Sequence, residues 1–305
     1  MKLRTVSTPN PAWSHMSRAL TSCKDVILNY ALTLEHLENT FYRTGLQNFT
    51  QKQFADAGFD ATFYKNLQVI AYDERTHVDF LTKAIVASKY APVKECTYAF
   101  PVTDPKSFVM ISSILEGVGV TAYLGAAAKI MSKDYLTAAG AILTVEARHS
   151  SYIRSSLNET GYPSPFDVPL SLNEVYTLAA PFIVSCPKDN PALPLKPFPT
   201  LAVAPSATKA VPAVGSTVTI LTPGYLLKPA DGVSPIFAAF ITVAGPVVVS
   251  TKAVTGGFEL VIPEGISGQA YVVLTGCNGT VTDDTVAAGP AIIEVAIPVI
   301  TSTTP

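Results

Sequence analysis

Asp73-Glu74-Arg75-Thr76-His77 and Glu146-Ala147-Arg148-His149 share one spacing, Glu-x-x-His. On a helix that spacing sets a carboxylate and an imidazole on one face, a turn apart. Singly, either pair has an ordinary reading: a solvated glutamate and a histidine that packs. Two copies, in the second and fourth of four long helical patterns, weigh more. Each of the other two patterns supplies a glutamate inside an apolar run. Glu35 interrupts the stripe of Leu28, Ala31 and Tyr42, and Glu116 is the only charged residue between Lys106 and Lys129. With no cation within two turns of Glu116, the ordinary reading fails there.

A lone carboxylate in a bundle core costs several kcal/mol unless it is neutralised. Four together repel and raise one another's pKa. Two divalent cations balance four glutamates, and two neutral imidazoles complete the coordination. The candidate metal ligands are therefore Glu35, Glu74, His77, Glu116, Glu146 and His149. Glu38 lies one turn after Glu35 on nearly the same face, so either is a candidate for the first helix. His36 points about 100° away and is not a candidate.

The helical patterns run from Thr21 to Phe41 with a stop near Gly45, and from an Asp60 N-cap to Ser88. A third opens with an Asp104 N-cap and Pro105 and runs to Met131, and a fourth runs from Ser132 to Gly161. A shorter fifth helix opens with the capping box Ser171-x-x-Glu174. Four helices of matched length predict a four-helix bundle. The segment from Tyr90 to Thr103 is long enough to carry the chain along or across it.

Composition changes near residue 187. All four histidines precede it, no arginine follows Arg154, and 15 of the 24 prolines lie from Pro187 onward. Beyond it the apolar period becomes two, in runs at Ser216–Leu221, Ile236–Val243, Val247–Val254, Phe258–Ile262, Ala270–Leu274 and Ala291–Val299. The predicted architecture is mainly α plus a separate β domain. Residues 1–186 form the bundle with an N-terminal arm and the fifth helix, residues 187–200 a Pro-rich linker, and residues 201–305 a sandwich-like β domain of structural or adhesive character.

The 305 residues are 48% hydrophobic and 14% charged, with a net charge of −2. That excludes a disordered chain and offers no basic surface for nucleic acid. Mean hydropathy is +0.32, yet the longest weakly polar stretch, Val118–Met131, is too short to span a membrane. The start, Met1-Lys2-Leu3-Arg4-Thr5, shows no secretory leader. Three sequons, at Asn48, Asn158 and Asn278, lean towards a secreted protein whose leader has been removed, with a cytoplasmic protein as the alternative. Four dispersed cysteines exclude a rubredoxin-type knuckle. Cys96 and Cys186, in Pro-flanked loops, either form a disulfide or stay as free thiols.

The segment Ile27-Leu28-Asn29-Tyr30-Ala31-Leu32-Thr33-Leu34-Glu35-His36-Leu37-Glu38 with Phe41-Tyr42, followed by Glu74-x-x-His77, Glu116 and Glu146-x-x-His149, resembles the ferritin-like dinuclear-metal carboxylate superfamily. Within it the segment is most similar to the group of plant desiccation-related and fungal stress-response proteins. The resemblance covers residues 22–160. It implies that the six residues are ligands, with Glu74 and Glu116 bridging the metals. It also implies that Tyr42 and Tyr123, at equal offsets from Glu35 and Glu116, stand near the site, and that Asp73 accepts a hydrogen bond from a ligand imidazole.

An oxygen-dominated site with two histidines suits Fe or Mn, with Zn a substitute on purification. The implied function is that of a diiron or dimanganese oxidoreductase acting on O2, peroxide or a small molecule, with a stress-related role. A substrate pocket is expected beside Gly117, Gly119 and Gly125, unless those glycines serve close helix packing. One alternative is a non-catalytic metal-binding stress or desiccation protein. Another is a surface-binding β module on an inactive bundle. No nucleic acid or membrane partner is expected, and a homo-oligomer through the bundle is open.

Overall fold

The computed structural model describes residues 11–206, 210–229 and 231–298, and of residues 11–25 only the helical backbone. Its helices are α1 (Pro11–Asn48), α2 (Gln51–Asp56), α3 (Ala61–Ala87), α4 (Pro105–Ala127), α5 (Lys133–Ser156) and α6 (Leu172–Ala179). Their starts follow the capping chemistry. The side chains of Asp60, Asp104, Ser132 and Ser171 each accept a hydrogen bond from the backbone N–H three residues on, which satisfies a donor the helix itself cannot. The backbone predicted as an N-terminal arm is already helical from Pro11, and residues 1–10 lie outside the described residues.

The end of α1 departs from expectation for a steric reason. Gly45 does not stop the helix. A Cβ there would lie 2.0 Å from the ring of Phe108, so the glycine lets α1 and α4 approach closely. Phe108 stacks on Phe41 at 4.5 Å between ring centres, inside an aromatic cluster with Phe54 and Phe100. Each such buried ring contributes roughly 1.5–3 kcal/mol.

Helix α1 packs mainly on α3, and α4 on α5. The connection from α3 to α4 runs along the bundle, pinned to α1 step by step. Buried Asn29 receives the N–H of Val93 at 2.7 Å and donates to the Ala91 carbonyl at 3.1 Å, and His36 Nε2 lies 3.1 Å from the Val93 carbonyl. Further on, Arg43 pairs with Glu95 at 2.6 Å. The strand β1 (Thr97–Tyr98) then pairs with β2 (Ile183–Ser185), and the Cys96–Cys186 disulfide closes beside them.

Helix α4 is longer than the stretch Val118–Met131 and is, by length and composition only, apolar enough to cross a membrane. Two thirds of that window is buried inside the molecule, so it is also what a core helix looks like.

The C-terminal part holds β3 (Ala202–Val203), β4 (Thr217–Leu221), β5 (Phe237–Phe240), β6 (Val247–Ser250), β7 (Lys252–Val254), β8 (Gly257–Val261), β9 (Gly268–Thr275) and β10 (Val286–Val295). They form two antiparallel sheets, ordered β10-β9-β5-β6 and β3-β4-β8-β7. Ile220, Phe240, Leu260, Val272 and Ile293 fill the core between them. The run Val247–Val254 is two strands rather than one. At Thr251 the chain leaves the first sheet for the second, and the Thr251 hydroxyl is held by the Ile236 carbonyl at 2.6 Å. Strand β10 begins five residues before the predicted Ala291, because register shifts on either side of Ala288 accommodate Gly289-Pro290, and proline is tolerated in sheets at such irregularities. Val299, the predicted end of that run, lies outside the described residues.

The sheets are docked on the bundle. Tyr271 of β9 is buried in the helical core and donates to the Gly117 carbonyl at 3.1 Å. Arg154, buried on α5, makes a two-pronged pair with Glu294 of β10 at 2.7 and 3.1 Å. Residues 187–200 have no regular structure but are tied down, with the Phe198 N–H on the Thr177 hydroxyl and the Gly289 N–H on the Pro199 carbonyl, both at 2.9 Å.

Candidate metal centre

Four helices each turn an acid inward at the same height. Glu35 comes from α1, Glu74 and His77 from α3, Glu116 from α4, and Glu146 and His149 from α5. All four glutamates are 0% exposed and the two histidines are buried. The donor atoms fall into two groups, within each of which all lie within 4.8 Å of one another: Glu35, Glu74, His77 and Glu146 in one, Glu74, Glu116, Glu146 and His149 in the other. His77 Nδ1 is 3.2 Å from Glu35, 3.4 Å from Glu74 and 3.4 Å from Glu146. His149 Nδ1 is 3.0 Å from Glu74 and 3.4 Å from Glu116.

The groups share Glu74 and Glu146. The resemblance implied Glu74 and Glu116 as the bridging pair, whereas the donor groups have Glu74 and Glu146 in common. Glu116 lies on the His149 side alone, as Glu35 lies on the His77 side. The reason is topological: Glu74 and Glu146 carry the Glu-x-x-His turns of α3 and α5, whose acids meet between the two imidazoles. The two candidates on the first helix differ in place. Glu35 is in a group, while Glu38 is in neither and lies at the edge, with its Oε1 3.0 Å from where a Cβ on Gly119 would stand.

Three further side chains stand behind these donors. The Tyr42 hydroxyl donates to Glu116 and the Tyr123 hydroxyl to Glu35, each across the bundle and each on the oxygen turned away from the imidazole. Burial holds both phenols protonated, so they are the donors. Asp73 Oδ2 is 3.2 Å from His149 Nε2, a contact that orients the ring with Nδ1 aimed at the carboxylates. His36, taken up by Val93, is remote from the cluster. Of the three glycines on α4, two serve packing: a Cβ on Gly125 would strike the Leu170 carbonyl at 1.8 Å, and one on Gly117 would strike Gln269 at 2.5 Å. Gly119 alone faces the cluster, with a Cβ position 2.8 Å from Glu146 Oε2.

The electrostatics call for positive charge. Burial raises Glu35 to about 7 even against the pull of the His77 imidazole beside it. Burial and mutual repulsion push Glu38 and Glu146 well above the carboxylate range, and burial raises Glu116 against the pull of His149. Glu74 goes the other way: burial opposes ionisation, but the imidazoles of His149 and His77 beside it bring it to about 2. Burial would lower both imidazoles, yet Glu116 and Glu74 lift His149 to about 11, and Glu146, Glu35 and Glu74 lift His77 further. Even so, Glu35 Oε2, Glu74 Oε1, Glu116 Oε2, both oxygens of Glu146 and His149 Nδ1 are buried without a hydrogen-bond partner. Orphaned anionic donors at these spacings fit metal ions, which satisfy several lone pairs at once without hydrogen-bond geometry.

Residues 24–159 match the protein family described as ferritin-like domain. This stretch is a ferritin-like domain. A curated relative, Protein rds1 of Schizosaccharomyces pombe, is 28% identical over 174 residues, which is 57% of this chain. The chain covers 42% of that relative's length, so it spans less than half of it. The ferritin-like domain contains all six clustered donors together with Tyr42, Asp73 and Tyr123, and it ends before the two four-stranded sheets begin. Its buried carboxylate and histidine clusters are able to hold metal ions.

Proposed function

We propose that the ferritin-like domain holds two divalent metal ions, Fe or Mn, and works as an oxidoreductase on dioxygen or peroxide. The observation that carries this reading is the set of six buried donor atoms left without hydrogen bonds. Glu35 and His77 would hold one ion, Glu116 and His149 the other, with Glu74 and Glu146 common to both. Such a pair of redox metals supplies the electrons for two-electron reduction of oxygen species. The chain's own part is to hold and orient. Asp73 fixes the His149 ring, Tyr42 and Tyr123 fix one oxygen each of Glu116 and Glu35, and the burial of all four glutamates excludes bulk water.

The resemblance to desiccation-related and stress-response proteins supports a stress-related role for this chemistry. The Cys96–Cys186 disulfide and the exposed asparagines of the three sequons support a secreted protein. The second reading, metals that staple the bundle without turnover, is favoured by how completely the donors are enclosed. Loading the stripped protein with Fe(II) and following dissolved O2 separates the two. Catalysed consumption is expected. A large rise in melting temperature with no consumption would move the function to metal-stapled stability.

A further inference from the structure

A pocket of about 130 Å³ adjoins the carboxylate cluster at its Glu38 edge. Its walls are apolar, with Leu34 and Leu37 on α1, Val118 on α4, Leu178 on α6, Phe182 in the turn after α6 and Ile292 on β10. Two of its lining residues connect it to the cluster. Gly119 has no side chain, and a Cβ there would sit 2.8 Å from Glu146 Oε2, so only backbone separates the pocket from the carboxylate common to both donor groups. Glu38 is the single charged residue of the lining, is 4% exposed, and makes no hydrogen bond or ion pair with any described residue. A buried acid without a partner is costly unless something meets it.

We propose that this pocket is the substrate site of the metal centre. It takes a small, largely apolar organic molecule of up to about the size of benzene, with one hydrogen-donating group set against Glu38. The size follows from volume: an apolar cavity of about 150 Å³ accepts benzene. The polarity follows from Glu38, which rewards a donor at one end of a ligand whose remainder meets only hydrocarbon. The arrangement also gives the sheets a task, since Ile292 of β10, with the neighbouring α6, supplies part of the pocket wall.

This inference rests on the proposed metal centre, and its test keeps the two apart. Phenol, an apolar ring with one donor, is titrated calorimetrically into the full chain, both metal-stripped and Co(II)-loaded. Ala179→Phe and Ile292→Phe fill the pocket from walls that carry no donor, and Glu38→Leu removes the acid at similar volume. Wild type is expected to bind one phenol in the millimolar range in both states, and phenol is expected to shift the visible bands of bound Co(II). Each filling variant, with cobalt content and melting temperature as in wild type, is expected to bind at least about tenfold more weakly. Glu38→Leu, which removes the hydrogen-bonding atoms, is expected to weaken phenol without weakening benzene. Absence of binding in both states, or binding that neither filling variant alters, would overturn the pocket. Binding that leaves the cobalt spectrum untouched would separate the pocket from the centre. Failure to bind cobalt alongside normal phenol binding would sink the metal reading while leaving the pocket standing.

Discussion

The two sides of the cluster are built alike: an imidazole, an acid that a tyrosine holds by its outer oxygen, and the acids common to both. They differ in what stands behind the imidazole. His149 has Asp73 at 3.2 Å, which sets its tautomer and its aim. Asp73→Asn is therefore expected to weaken metal affinity on the Glu116/His149 side by about 10–100-fold, measured by chelator competition. Unchanged affinity would reduce Asp73 to a surface contact.

Protons and metals compete for the same donors. In the metal-free cluster burial strengthens the hold of Glu35, Glu38, Glu116 and Glu146 on their protons, bringing Glu35 to about 7, and the surrounding acids strengthen that of both imidazoles, bringing His149 to about 11. Each such proton must leave before the donor can bind a cation. Mn(II) uptake should thus release protons into weak buffer, and affinity should fall as pH drops from about 8 to about 6. Pairing of Glu and His at a helical turn was legible in the chain, because it needs only periodicity. Which acid is common to both groups was not legible, because that depends on how far α3 and α5 are turned and slid against each other.

Among the elements, helix starts were written plainly in Asp60, Asp104, Ser132 and Ser171, since a cap is local chemistry. Helix ends and glycines were not. Gly45 reads as a stop, yet it is a point where a helix and a phenylalanine ring meet. Gly45→Ala should cost about 1–3 kcal/mol in denaturant unfolding through overpacking, although alanine is the better helix former. Gly140→Ala on α5 makes the control, because a Cβ there meets nothing within 4 Å. It should stabilise by about 0.5–1 kcal/mol. If both variants moved in the same direction, close approach would not be what Gly45 provides. The strand start at Val286 was hidden for a related reason, as Gly289-Pro290 reads as a turn until its place beside β9 is known.

At the scale of the molecule, the change at residue 187 marks where helices give way to sheets. It says nothing of how they meet. Tyr271 and Arg154 look like ordinary residues of their own segments, and only the fold reveals that each is buried against the other part. The Cys96–Cys186 link, across 90 residues, ties the α3–α4 connection to the chain leaving α6. In the chain-entropy view it is worth about 4 kcal/mol. Reduction should lower the melting temperature by about 10 °C, while metal content, which depends on donors held by helices, stays as before. Loss of metal on reduction would mean that the connection along α1 also holds the cluster in shape.

Whether those donors are occupied is open to a single measurement, elemental analysis of the protein purified from its native source, beside a Glu116→Ala variant prepared in the same way. Two equivalents of iron or manganese per chain are expected in the native protein, one for each donor group, with at least one lost from the variant. A native protein free of stoichiometric metal, or a variant that keeps both ions, would contradict the assignment.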